Sequence, residues 1–203
     1  MTVQPLYIVV EGASDVEIAV KLARHVGFEP RPPITTVGSA AMHRRLSEFN
    51  RAAASLPWFV LRDLDTHSCA ANLVRELLPR PRRLMSLRIA VREMESWVLA
   101  DREQVAAWLK VPVTKVPNDS DGLPDPKATL INLARQSKVR SLREGLVPEP
   151  GLSSTVGKLY PSQIARFVRE AWRLDVAVKR SDSCRRAVAA LHALKARTSA
   201  VAT

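Results

Sequence analysis

The chain has 203 residues, 46% of them hydrophobic, enough to bury a core in one large domain or in a compact domain with an appendage. Its formal net charge of +11 favours polyanions, nucleic acid above all, with a solvated basic surface as the blander reading. No apolar run approaches the roughly 20 residues that span a bilayer, and no signal-peptide pattern opens the chain; Cys69 and Cys184 belong to no CxxC pair, so a soluble protein of the reducing cytoplasm is expected, without a disulfide framework or thiolate zinc site.

Leu6 to Val10 reads as a short buried strand, followed at once by Glu11-Gly12-Ala13-Ser14-Asp15. Ser14 and Glu17 have capping-box spacing, so a helix is expected from about Asp15, with Gly27 as its stop. The Pro-rich stretch Glu29 to Pro33 leads to a short strand at 34–37, and a second helix is expected over 40–54. Trp58-Phe-Val-Leu-Arg62 is an apolar strand that ends in Asp63-Leu-Asp65. Helix 69–78, the basic connector 79–83 and a third strand over 84–91 follow, and Arg92 to Asp101 reads as helix. Residues 111–150 are rich in Pro, Asp and Gly and read as long loops with one helix at 127–136. Two helices close the chain, one opened by Pro161 and one over 183–196, and a frayed end is expected from Thr198.

Strands alternating with helices predict an α/β fold, a parallel sheet flanked by helices over residues 1–110, with a mainly helical extension over 111–203 packed on it. In such sheets functional groups gather at the carboxyl ends of strands. Glu11, Asp63 and Asp65 fall there, and Glu93 and Glu95 come just after the third strand. If extended geometry persists through Asp63 and Asp65, both face one point. Two carboxylates at about 4 Å repel by roughly 4 kcal/mol at an effective dielectric near 20, which is relieved when a divalent cation sits between them or when one carboxylate turns to solvent. Mg²⁺ or Mn²⁺ held by such oxygens activates water and neutralises phosphate, the chemistry of phosphodiester cleavage.

The charge is uneven. Residues 1–110 carry 15 Lys/Arg against 12 Asp/Glu, and residues 111–203 carry 16 against 8, a net +3 and a net +8. Arg80, Arg82, Arg83, Arg88 and Arg92 are candidates to grip phosphates beside the carboxylates, and Arg135, Lys138, Arg140, Arg143, Arg185 and Arg186 could extend a track across the helical part.

Glu11 in Val-Glu-Gly, with Asp63-Leu-Asp65 after a later strand, resembles the topoisomerase–primase (Toprim) superfamily. The form Val-Glu-Gly-Ala-Ser-Asp is most similar to the Toprim part of OLD-type nucleases. Arg92-Glu-Met-Glu-Ser-Trp-Val-Leu-Ala-Asp101 is similar to stand-alone Toprim-like proteins of unknown function found beside an ATPase. The likeness covers residues 5–110 and extends weakly through Pro126-Lys127, Gly157-Lys158-Leu-Tyr160 and Ser181 to Arg186. It implies a metal-dependent nuclease acting on DNA or RNA, in bacterial antiphage defence or genome maintenance, with a separate ATPase partner. It also implies that Glu11, Asp63 and Asp65 bind one cation, that Asp15 and Glu95, with Glu93 as a further candidate, bind a second, and that Lys127, with Lys158 behind it, stands near the scissile phosphate. The OLD pattern has a serine two residues before the later glutamate, where this chain has Glu93.

Blander readings stand beside these. Asp15 is also a favourable helix N-terminal acid, and Glu93 and Glu95 cannot share one helix face, which leaves Glu93 as a surface or Arg-paired residue. Trp97, Trp108 and Trp172 read as core, His67 as a solvated loop residue and Cys69 as a small buried one. Gly151 to Lys158 fails as a phosphate loop, having five residues between its glycines and Leu159 after the lysine. A non-catalytic nucleic-acid-binding or partner-regulating module is the alternative to the nuclease. A topoisomerase or primase activity is disfavoured, because Tyr7 and Tyr160 are poor candidates for strand passage. Assembly into a homo-oligomer is compatible with the sequence.

Overall fold

The computed structural model describes residues 4–151 and 153–200. Its centre is a parallel sheet built from β1 (Gln4–Val10), β2 (Phe28–Pro30), β3 (Ile34–Thr35), β4 (Trp58–Asp63) and β5 (Met85–Ala90), in the order β2-β1-β4-β5 with β3 also on β1. Both β2 and β3 lie along the same edge of β1, β2 against Gln4 to Leu6 and β3 against Val9 and Val10. Pro32 and Pro33 stand between them, and a proline has no N–H to give a ladder. One strand position is therefore filled by two short pieces.

Alternation along the strands divides the core. Leu6, Ile8, Val10, Phe59 and Leu61 face one side, and Val9, Trp58, Val60, Leu87 and Ile89 face the other. The first side is covered by α1 (Val16–Val26) and α4 (Met94–Ala100), and the second by α2 (Ser39–Ala52) and α3 (Ala70–Leu77). The rest of the chain is more helical than its composition suggests: α5 (Arg102–Leu109), α6 (Pro126–Arg135), α7 (Arg140–Leu146), α8 (Tyr160–Glu170), α9 (Leu174–Arg180) and α10 (Asp182–Ser199). Buried residues of α6, α8 and α10 belong to the same apolar cluster as α1 and α4, and α10 packs on β5.

Several expectations shift. The strand expected over 34–37 is only Ile34–Thr35, and α4 starts at Met94 rather than Arg92. Besides the expected helix near 127–136, the stretch 111–150 contains α7 and a 3₁₀ turn at Val113–Lys115, and three helices rather than two follow Pro150. The missed helices α5, α7 and α9 have eight, seven and seven residues, too short for a periodic pattern to stand out. A frayed end is expected from Thr198, but Thr198 and Ser199 belong to α10; residues 201–203 of that stretch lie outside the described residues. Nor does the Ser14–Glu17 capping box form. Asp15 instead turns its own carboxylate back to accept from the Gly12 N–H at 2.9 Å. Glycine is confirmed as the stop of α1: Gly27 at φ 84 donates its N–H to the carbonyls of Ala23 and Arg24.

Trp97 and Trp172 are buried core residues, and Trp108 packs half-buried against the same core. Trp97 donates to Ser183 Oγ at 2.6 Å, Trp172 to the Trp97 carbonyl at 3.0 Å, and Trp108 stacks on Phe167. Asp101, wholly buried, holds the Arg173 N–H at 2.8 Å and its guanidinium at 2.6 Å, which ties α9 to the end of α4. Among the described residues no helix is long and apolar enough to cross a membrane.

Candidate functional site

Every strand runs the same way, so all carboxyl ends lie on one rim. The connection from β1 goes to one side of it and the later strands to the other, which opens a crevice between the ends of β1 and β4. Glu11 leaves β1 there, Asp63 ends β4, and Asp15 sits below Gly12 at the start of α1. Glu95 comes from the first turn of α4, just after β5. The sheet thus brings four acids from three separated segments of the sequence to one rim.

Their neighbours sort them into two groups. In the first, Asp63 Oδ1 accepts from the Met94 N–H at 2.9 Å, and Asp15 accepts from the Gly12 N–H and from Ser14 Oγ at 3.0 Å. Glu95, 2% exposed, accepts from the Tyr160 hydroxyl at 2.8 Å. Lys127 reaches this group from the start of α6, with Nζ 3.2 Å from Glu93 Oε1 and 3.7 Å from Glu95 Oε2. The backbone N–H of Lys127 also donates to Glu93 Oε2 at 2.9 Å. In the second group Arg62, buried at its place in β4, stands 3.3 Å from Glu11 Oε1 and 4.0 Å from Asp65 Oδ2. Its guanidinium also lies 3.4 Å from the His67 ring.

Asp63 and Asp65 do not face one point. Extended geometry stops at Asp63; the Leu64 and Asp65 N–H groups both turn to the Arg92 carbonyl, and Asp65 adopts φ 52. That left-handed turn sends Asp63 into the buried group and leaves the Asp65 side chain 43% exposed beside Arg62. So Asp63, expected with Glu11 and Asp65, interacts chiefly with Asp15 and Glu95. A second non-glycine residue at positive φ, Val37 at 56, follows β3 on the same rim and is 87% exposed. Backbone strain of this kind is commonest at functional sites.

The electrostatics follow from burial and crowding. Burial, then Asp65, raises Glu11 to about 7 against the opposing pull of Arg62. Burial raises Glu95 to about 7 as well, with Lys127 opposing and Asp15 and Glu93 adding to it. Asp63 is pushed well above the usual carboxylate range by burial, Asp15 and Glu95, and Asp15 is raised by burial despite its two hydrogen bonds. Burial alone would lower Lys127, but Glu95, Glu93 and Asp63 outweigh it and hold the ammonium above its ordinary value. Tyr160 is held far above the usual phenol range by burial and by Glu95.

The other expected residues fall differently. Glu93, expected at the surface or paired with an arginine, is half-buried and paired with Lys127. Lys158 is remote from this cluster's ion pairs and binds Glu149 at 2.9 Å on the surface. Arg92 braces the turn after Asp63, donating to the carbonyls of Asp65 and His67 at 3.1 and 2.9 Å. Arg80, Arg82 and Arg83 do not flank the carboxylates. They precede β5 and so lie at the amino-terminal rim, where Asn50 accepts from the Arg82 N–H and donates to the Arg80 carbonyl. Arg88 lies within β5, beyond the carboxylate crevice. Cys69 is half-buried at the start of α3 rather than buried. Tyr160 is the residue that sequence reasoning missed at the site; its segment Gly157-Lys158-Leu-Tyr160 already carried a weak likeness.

Oxygen donors on a rigid rim suit Mg²⁺ or Mn²⁺, and among the described residues two buried oxygens, Glu11 Oε1 and Glu95 Oε2, have no hydrogen-bond partner. Yet among the described residues no three His, Cys, Asp or Glu side chains stand together as a set ready to hold an ion. Lys127 and Arg62 supply the positive charge there. The donor chemistry fits a hard cation, and the side chains as they stand favour their own cations. The chain matches no family model, no curated protein and no solved structure.

Proposed function

We propose that this protein is a cytoplasmic, metal-dependent nuclease of the Toprim and OLD type that cleaves phosphodiesters of DNA or RNA. The observation that carries this reading is the gathering of Glu11, Asp15, Asp63 and Glu95 at one strand-end rim, buried enough that each is raised above the ordinary carboxylate range. A fold that buries like charges at a crevice spends stability to do so, which suits a site for a cation. Glu11, Asp63 and Glu95, with Asp15 and Asp65 beside them, are the residues that would hold one or two ions. Bound there, Mg²⁺ or Mn²⁺ supplies a polarised water and neutralises phosphate charge.

The chain's own contributions can be assigned around that centre. Asp63 is fixed by the Met94 N–H, so its free oxygen is presented from a rigid strand end. Tyr160 orients Glu95 through its hydroxyl. Lys127 carries a fixed positive charge beside Glu95 and would stabilise negative charge developing on a phosphate oxygen. The net +8 of residues 111–203 would draw the polyanion in. By the same resemblance, control by a separate ATPase and a role in bacterial antiphage defence complete the proposal.

A second reading has its own support. Because Lys127 and Arg62 already pair with the acids, the cluster also suits a non-catalytic module that binds nucleic acid or a regulatory partner. A cleavage assay on single- and double-stranded DNA and RNA, with Mg²⁺ and with Mn²⁺, separates the two. Cleavage that Asp63→Asn abolishes supports the nuclease. Binding without cleavage, with the partner ATPase present, supports the module.

A further inference from the structure

Away from the carboxylates, β5 is the end strand of the sheet, and its free edge runs between α3 on one face and α10 on the other. There the two helices leave a cavity of ≈ 520 Å³, within the range of about 300–1,000 Å³ usual for small-molecule sites. Its apolar wall is Ala71, Val74 and Ile89, and its polar lining sets three guanidinium groups, Arg75, Arg88 and Arg186, beside Asp121, Asp182 and Ser183.

Arg88 is the unusual member. It projects from a β-strand, is half-buried, and its Nε is buried without a hydrogen-bond partner among the described residues. After burial, the charge that bears on it is a second cation, Arg186, and both lower its affinity for its proton. The two acids on the wall are already engaged. Asp182 accepts from Arg186 Nε at 2.5 Å and also pairs with Arg185. Asp121 accepts from Ser181 Oγ at 2.8 Å and from the Ser183 N–H at 3.1 Å. Arg186 already has Asp182, whereas Arg88 has no carboxylate of its own among the described residues, a deficit that an anion makes good. A dianionic phosphate monoester calls for more than one such group, and the apolar wall calls for an uncharged body attached to it.

We infer that this cavity binds an organic phosphate of the nucleoside monophosphate class, either free or at the 5′ end of a strand. The site is separate from the carboxylate crevice and needs no metal, so it stands whether or not the chain cleaves nucleic acid.

Isothermal titration of the full chain in chelator, with adenosine 5′-monophosphate, adenosine and a 5′-phosphorylated oligonucleotide, tests this. The monophosphate should bind at least about tenfold tighter than adenosine, the equivalent of about 1.4 kcal/mol. Arg88→Met should weaken it about tenfold or more, and so should Ala71→Glu, which places a negative charge on the wall from an exposed helix position that keeps the fold. Binding of the 5′-phosphorylated strand alone, with the same losses, would identify a strand end as the source. Absence of binding by both phosphate probes, or an unchanged affinity in Ala71→Glu, overturns the inference.

Discussion

Tyr160 donates its hydroxyl hydrogen to Glu95 Oε1 at 2.8 Å, across 65 positions of sequence. The bond joins the first turn of α8 to the first turn of α4, so the helical half of the chain reaches into the carboxylate site formed by the sheet half. It also lowers the pKa of Glu95 against the burial that raises it.

Tyr160→Phe keeps the ring and removes only that donor. The expected cost is about 1–2 kcal/mol in unfolding free energy, since a buried carboxylate loses a hydrogen bond. Glu95 then keeps its proton to higher pH. The pH profile of metal binding should move upward, readable by calorimetric titration at several pH values, whereas a purely structural role for Tyr160 would lower stability and leave the profile in place.

Asp63→Asn should raise stability in chelator while abolishing function. An asparagine oxygen can still accept from the Met94 N–H, and the repulsion from Asp15 and Glu95 disappears. A gain on the order of 1 kcal/mol is expected from denaturant unfolding, the sign typical of a site that stores strain. The stabilisation by added Mn²⁺ expected of the native chain should vanish in the variant. A destabilised Asp63→Asn in chelator would count against charge repulsion as the governing force here.

The pH dependence has a defined sign. Glu11 and Glu95 ionise near 4.5 when exposed and near 7 when folded. Between those values the folded state holds more protons than the unfolded one, so stability falls as pH rises through the window. In chelator the thermal midpoint should decline from about pH 5 to about pH 7, each group contributing at most about 3 kcal/mol across the window. Divalent cation should restore the midpoint at pH 8 and do little at pH 5, where protons already neutralise the acids. A midpoint that climbs across this window would contradict the arrangement.

Lys127→Met removes the ammonium that sits between Glu93 and Glu95. Its side chain is 29% exposed, so the expected loss is about 1–3 kcal/mol, below that for a fully buried pair. Mn²⁺ should recover part of that loss by taking over the neutralisation, and any cleavage activity should fall without a matching change in metal affinity. Thermal unfolding with and without Mn²⁺, beside single-turnover cleavage, reads both effects.

Much of this was written in the chain itself. Apolar runs closing on Glu11 and on Asp63, with a glycine turn and a helical repeat after the first, determined the α/β alternation and sent these acids to strand ends. The tryptophans were legible as core for the same reason, because periodicity records which face an element buries. Only the tertiary structure decided that Asp65 turns away from Asp63, that Arg80, Arg82 and Arg83 sit at the opposite rim, that Tyr160 completes the acidic group, and that Lys127, already named from the resemblance, pairs there with Glu93 and Glu95. The physical cause is one of range: a hydrophobic repeat reports local burial over one or two turns, whereas a single left-handed residue, or the path of a helix 65 positions away, decides which charges meet.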